Sequence, residues 1–258
     1  MDLLLALSAR VNADIAFAND PDADRLGAAI PTPDGGWRRL GGDEIGWLLA
    51  DHILSTTTGD DRLVITTLVS STLLSEMAAA HGVHYAETFT GFKWIARTAQ
   101  DLPDLRFVFG YEQALGYLVA TRPLDKDGIS AAVKMAEIAA TAKAEGQTLQ
   151  QRLDAIAERF GRHLTREHSI KMDPALGASV VAAMQAQPPI ELAGREVTEV
   201  KWFDEAGLLR LQCGPDARVQ IRPSGTEPKV KVYAEAVGTD PEPLVAALVA
   251  HVESCVES

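Results

Sequence analysis

Cysteine is scarce in this chain: 258 residues contain two, Cys213 and Cys255. That number excludes a disulfide framework and C-x-x-C metal spacing, so both read as small hydrophobes in a reducing, cytoplasmic setting. Positive charge is also in short supply, with 24 Lys and Arg against 36 Asp and Glu, a net charge of −12 and a pI near 4.9. Nucleic acid, whose phosphates most of this surface would repel, is therefore not an expected partner, and any anion must be held locally by clustered cations. Long apolar runs are missing too. Leu3-Leu4-Leu5 is too short to span a bilayer, and Asp2 has the wrong sign for the start of a signal peptide. There are no internal repeats and no low-complexity segments. What is present is 47% apolar residues, enough to fill the cores of two compact domains.

The densest chemistry is Asn19-Asp20-Pro21-Asp22-Ala23-Asp24-Arg25, which follows the apolar run Ile15-Ala16-Phe17-Ala18. On an extended backbone the i, i+2, i+4 spacing puts three carboxylates on one side. Oxygen-only donors at this density suit Mg²⁺, which keeps positions open for water or a phosphate, and Arg25 stands beside them as a phosphate contact. An EF-hand loop would need Gly and Glu where counting from Asp20 gives Arg25 and Pro31. A haloacid-dehalogenase-type phosphatase would carry Thr or Val in the place of Asp24. An acidic surface turn is the bland alternative, since Asp and Pro are turn formers.

A second cluster, Arg222-Pro223-Ser224-Gly225-Thr226-Glu227-Pro228-Lys229, lies between the alternating runs 217–221 and 230–234 and reads as a loop between strands. Hydroxyls at Ser224 and Thr226, close backbone approach at Gly225 and the charges of Arg222 and Lys229 would let it cradle a phosphate. A plain Pro/Gly-rich hairpin is the competing reading.

Together the two motifs resemble the α-D-phosphohexomutase superfamily, the phosphoglucomutases and phosphomannomutases, in which D-x-D-x-D-R is the Mg²⁺ loop and R-P-S-G-T-E-P the phosphate loop. Further stretches fit in the same order: Thr90-Gly91-Phe92-Lys93 resembles the T-G-x-K contact to the sugar phosphate, Gly110-Tyr111-Glu112-Gln113-Ala114-Leu115-Gly116-Tyr117 the sugar loop, and Lys126-Asp127-Gly128 the K-D-G that follows it. The wording is most similar to the branch with phosphoglucomutase-2-like enzymes and phosphopentomutases. The likeness runs from about Asp14 to the C-terminus.

The resemblance implies metal ligation by Asp20, Asp22 and Asp24. It places Arg25, Lys93 and Lys126 around the reacting phosphate, Thr90, Gly91 and Glu112 at the sugar, and Arg222, Ser224, Gly225, Thr226 and Lys229 at the distal phosphate. Family members carry a phosphorylated serine in T-x-S-H-N-P within a first domain. No serine here, including Ser70, Ser71 and Ser224, precedes His-Asn-Pro. The expectation is therefore the C-terminal part of an intramolecular phosphotransferase, inactive alone, whose full-length reaction exchanges sugar 1-phosphate and 6-phosphate, or the pentose 1- and 5-phosphates, through a bisphosphate. Mg²⁺ and a sugar bisphosphate activator are the implied cofactors. A phosphosugar is the implied partner, joined, if the chain works as it stands, by a separate chain that supplies the phosphoserine domain. A non-catalytic remnant that binds sugar phosphate or metal is the alternative, and a metal-dependent phosphatase a third reading.

One departure stands out. Many members have Ser two residues after the sugar-loop Glu and then Gly-His, whereas this chain has Ala114 and Gly116-Tyr117. The lone histidines His52, His84 and His163 read as structural.

For the fold, helices are expected over 2–12, 44–55 with Asp43 as cap, 71–81, 130–144, 149–160, 174–187 and 241–256, and strands over 15–18, 26–30, 64–69 and 107–109. The class is α/β: a partial α/β domain at 1–42 with the metal loop, a complete α/β third domain with a mixed sheet at 43–161, and an α+β C-terminal domain at 162–258. Parallel strands would bring the ligand loops to one rim.

Overall fold

The computed structural model describes residues 1–225 and 227–257. The chain divides into two compact units, Met1–Phe160 and Gly161–Ser258. The first opens with helix α1 (Asp2–Arg10) and an antiparallel sheet of β1 (Ala16–Asn19), β2 (Leu26–Pro31) and β3 (Trp37–Arg39) in that order. Of β1 only Ala16 is fully buried, so this strand is less enclosed than its apolar sequence suggests. The chain continues through α2 (Gly42–Thr56), β4 (Arg62–Thr67), α3 (Leu73–Ala80), β5 (His84–Thr88), α4 (Phe92–Asp101), β6 (Arg106–Glu112), β7 (Gly116–Leu118), α5 (Gly128–Ala144) and α6 (Leu149–Phe160). These strands form a mixed sheet in the order β5-β4-β6-β7, parallel except for β7 against β6.

Alternation along β4 points Val64 to one core, shared with α2, α3, α5 and α6, and Leu63 and Ile65 to a smaller core under α4 with Phe92 and Ile95. In β6 a register shift opposite Leu63 and Val64 lets Phe107 join the smaller core while Phe109 and Tyr111, two and four residues on, face the larger one. The larger core also takes in Leu26, Ala28 and Ile30 of β2, so the small antiparallel sheet and the α/β layer are packed as one body. Gly46 lets α2 approach β6 closely, because a Cβ there would lie 2.7 Å from the Tyr111 ring.

Asp43 does not cap α2. It sits in the first turn, buried, where its Oδ1 accepts from the Ser71 N–H and the Tyr111 hydroxyl, both at 2.9 Å. Glu44 instead reaches back to the N–H of Gly41, the residue before the helix, at 2.8 Å. A buried carboxylate aimed at two donors of the sheet is better satisfied there than at an exposed cap.

The second unit is a six-stranded antiparallel sheet in the order β8-β13-β12-β11-β10-β9: β8 (His163–Lys171), β9 (Glu191–Leu192), β10 (Arg195–Phe203), β11 (Leu208–Cys213), β12 (Ala217–Pro223) and β13 (Lys229–Val237). Helices α7 (Pro174–Ala186) and α8 (Glu242–Glu257) pack Val180, Val181, Met184, Leu244, Leu248 and Val252 against Val219, Ile221, Val230 and Val232 of one face. On the other face Arg218 and Glu235 form a buried pair at 2.9 Å, joined by His163 at 3.0 Å from Glu235. His163 is thus structural. Among the described residues, no helix is long and apolar enough to cross a membrane.

Candidate active site

Residues 20–25 must reverse the chain between β1 and β2, and they do so in a turn with Ala23 at φ 59° and its N–H on the Asp20 carbonyl at 3.0 Å. The turn, not an extended backbone, is what gathers the acids. One oxygen each from Asp20, Asp22 and Asp24 lies within 4.8 Å of the others. An all-oxygen set, partly open to solvent, fits a hard divalent cation that retains water or a phosphate ligand. Burial pushes the Asp20 carboxyl up, but the Arg25 N–H at 3.1 Å and the Arg25 guanidinium at 3.8 Å outweigh it and hold the group below the ordinary value. It therefore stays ionised. Asp24 is paired with the Lys126 ammonium at 2.6 Å.

The loop is fastened to its neighbours through backbone. The Asn19 amide donates to the Arg25 carbonyl at 2.6 Å, Leu26 N–H donates to the Leu115 carbonyl at 3.0 Å, and Arg25 forms a β-bridge with Gly116. Gly116 in turn pairs with Glu112 across the β6–β7 hairpin, and Glu112 Oε1 accepts the Gly91 N–H at 2.9 Å. A continuous path thus links the acidic loop, the β6–β7 hairpin and Thr90-Gly91. From the other side, a Cβ on Gly128 would fall 2.3 Å from the Arg25 carbonyl, so only glycine lets the start of α5 dock there. Asp127 caps α5 by accepting from Ile129 and Ser130. Burial lowers the Lys126 pKa, but Asp24 and Asp125 outweigh it and raise it, so the ammonium persists.

Thr90 and Glu112 are half-buried. Lys93 is exposed and belongs to the first turn of α4, with Nζ 5.4 Å from the Trp94 ring; the stretch expected to be loop is thus the end of β5 and the start of a helix. Asn19, Gly116 and Gly128 were not singled out from sequence for these roles. The signal for Asn19 was its place next to the acids, and for the glycines their place inside matched motifs.

In the second unit, Arg222 and Lys229 flank the turn of the β12–β13 hairpin. Arg222 pairs in register with Lys231, so two cations lie side by side on the face away from the helices. Among the described residues Arg222 Nε is buried without a hydrogen-bond partner, while Lys229 Nζ is held by Glu227 at 2.8 Å. Ser224 N–H closes the hairpin on the Lys229 carbonyl at 2.9 Å, Ser224 Oγ accepts from Glu227 N–H, and Gly225 is exposed with open space around it. Thr226 lies outside the described residues.

Residues 41–160 match the model of the phosphoglucomutase/phosphomannomutase alpha/beta/alpha domain III, and residues 196–251 that of the C-terminal domain of the same family. The chain belongs to the phosphoglucomutase/phosphomannomutase family. It is 35% identical over 248 residues to a "Probable phosphomannomutase" of Haemophilus influenzae, covering 94% of this chain and 50% of that protein. It is 31% identical to a mouse phosphopentomutase (95% and 46%) and to a Staphylococcus epidermidis phosphoglucomutase (90% and 47%). Among solved structures, a Burkholderia thailandensis protein of the family matches with a TM-score of 0.71 at 18% identity, covering 97% of this chain and 49% of that one, and a Paramecium phosphoglucomutase with 0.66 at 17%, covering 99% and 48%. These last likenesses concern the fold. The chain spans about half the length of the curated relatives it matches.

Within this family the sugar-loop departure acquires a structural meaning. Tyr117 is wholly buried, its hydroxyl donating to the Gly42 carbonyl at 3.0 Å, and burial together with Asp43 pushes its pKa well up. It is a core residue, unsuited to proton transfer. Ala114 is exposed at the tip of the hairpin and offers no hydroxyl.

Proposed function

We propose that this chain carries the sugar- and phosphate-recognising part of a phosphosugar mutase, an intramolecular phosphotransferase that interconverts sugar 1-phosphate with the 6-phosphate, or with the 5-phosphate of a pentose, through a bisphosphate. The observation that supports it most is the run of contacts from the acidic loop through Arg25, Gly116 and Glu112 to Gly91, with Lys126 at 2.6 Å from Asp24. In this reading residues 1–42 are the remnant of a second domain, 43–161 the third and 162–258 the fourth. Asp20, Asp22 and Asp24 would hold Mg²⁺, which when bound offsets charge on the phosphate oxygens. Arg25, Lys93 and Lys126 donate to the reacting phosphate; Glu112 accepts from sugar hydroxyls while Thr90 and Gly91 orient the ring; Arg222, Ser224, Gly225, Thr226 and Lys229 grip the far phosphate. Phosphoryl transfer of this kind is driven by positioning and charge, which these groups supply.

The serine motif T-x-S-H-N-P is not among these 258 residues, so this polypeptide by itself lacks the covalent step. A chain bearing that motif would be its partner in catalysis. The test has two arms. Incubated alone with glucose 1-phosphate, Mg²⁺ and glucose 1,6-bisphosphate, the chain should form no glucose 6-phosphate; turnover at enzymatic rates would reveal a nucleophile elsewhere. Titrated with glucose 6-phosphate, it should shift the amide signals of Gly91 and Gly116; no binding of any hexose or pentose phosphate would remove the proposal.

A further inference from the structure

We infer that Lys126 is an internal counter-ion of the metal loop, holding the place beside Asp24 until a divalent cation displaces it, so that cation binding frees the lysine for an anionic ligand. The inference rests on the reading of Asp20, Asp22 and Asp24 as a Mg²⁺ site. Lys126 Nζ lies 2.6 Å from Asp24 Oδ2 and 3.8 Å from Asp125 Oδ1, and its side chain is only 18% exposed. The backbone at this point is fixed. Lys126 N–H is held by the Asp125 carboxylate at 2.7 Å, and the next residue caps α5 and donates to the Tyr117 carbonyl. Its stem is confined as well, since a Cβ on Gly116 would be 3.1 Å from Cδ. Only the ammonium end is left to move.

A divalent cation drawn by the three carboxylates would share Asp24 with that ammonium, which already lies 2.6 Å from its Oδ2. Two positive charges add against one, in a site partly withdrawn from water, so the pair that stabilises the empty loop opposes the filled one. Released, the lysine offers three donors and no acceptor, which suits phosphate oxygens. Arg25 is the contrast. Its side chain is 52% exposed and its Nε 3.8 Å from Asp20, so it has little to release.

The experiment measures Mg²⁺ affinity by calorimetry and Mn²⁺ affinity by electron paramagnetic resonance on the full chain, on Lys126→Gln and on Lys134→Gln. The last removes one positive charge that pairs with Glu137 instead of an aspartate of the loop. Lys126→Gln should bind the cation about tenfold more tightly and Lys134→Gln should stay close to the unaltered chain. In parallel, the Lys126 Cε signal of the unaltered chain should shift as Mg²⁺ saturates it, a measurement that does not depend on the variant folding. Equal or weaker affinity in Lys126→Gln, or a Lys126 signal that ignores Mg²⁺, overturns the inference. If Asp22→Asn weakens the cation while Lys126→Gln leaves it unchanged, the lysine role alone fails; if the unaltered chain binds no divalent cation, the metal reading fails with it.

Discussion

At the scale of single residues, charge placement decides the outcome more than residue identity. Asp22 is the exposed member of the acidic triad, so Asp22→Asn should weaken Mg²⁺ on the order of tenfold with little effect on stability. Calorimetry on both proteins, with a melt of each, checks the pair of claims. The cysteines give a second expectation. Burial pushes the Cys213 thiol up to about 11, so at pH 8 it is almost wholly protonated, whereas Cys255 is partly exposed. Iodoacetamide followed by mass spectrometry should label Cys255 first and Cys213 only on unfolding. The three acids were legible in the sequence because a motif fixes them. Their geometry was not: spacing suggested an extended strand, and only the left-handed Ala23 shows that a turn brings the oxygens together. Nor could any pattern reveal that Lys126, over a hundred positions away, sits on Asp24.

Elements carry the next level, and here docking of one loop on another matters. Gly128→Ala would drive a methyl group against the Arg25 carbonyl, 2.3 Å away, and the Asn19 amide, 2.4 Å away. Overpacking of this kind costs about 1–3 kcal/mol, and it should also weaken the Mg²⁺ binding proposed for the acidic loop, because the displaced segment is the end of that loop. Denaturant melts read the first effect and calorimetry the second; a variant of unchanged stability and affinity would show that the two segments are not mutually fixed. The long, periodic helices α5 and α6 and the alternating hairpin β12–β13 were readable from their patterns. Strand β5 and helix α4 were missed. The strand is short and only partly buried, with Thr88 its one buried residue, and the helix follows Gly91 at φ 105° with a stripe of Phe92, Ile95 and Ala99 that a loop assignment hid. Asp43 was misjudged for the opposite reason: a capping residue at a helix start is a local rule, and a buried tyrosine hydroxyl from β6 overrode it.

For the whole molecule, the decisive fact is that each compact unit has its own core: that of the second is filled by α7, α8 and one face of its sheet. Residues 161–258 should therefore fold alone, and with them the β12–β13 hairpin. The local contacts of that hairpin, Ser224 to Lys229 and Glu227 to Ser224, are made within the unit, so the phosphate affinity proposed for it should survive the separation. Arg222 carries most of this expectation, because among the described residues its Nε is buried without a hydrogen-bond partner and a charge-assisted bond contributes on the order of 1.5–3 kcal/mol. In the isolated unit, Arg222→Ala should weaken glucose 6-phosphate by roughly tenfold or more. Lys229 should follow with a smaller loss, since phosphate must first draw it from Glu227. Nuclear magnetic resonance titration of the unit and of both variants, following the Ser224 and Gly225 amides, gives the comparison. Shifts that bypass those amides, or equal affinities in all three proteins, would leave the hairpin as a turn with no ligand of its own.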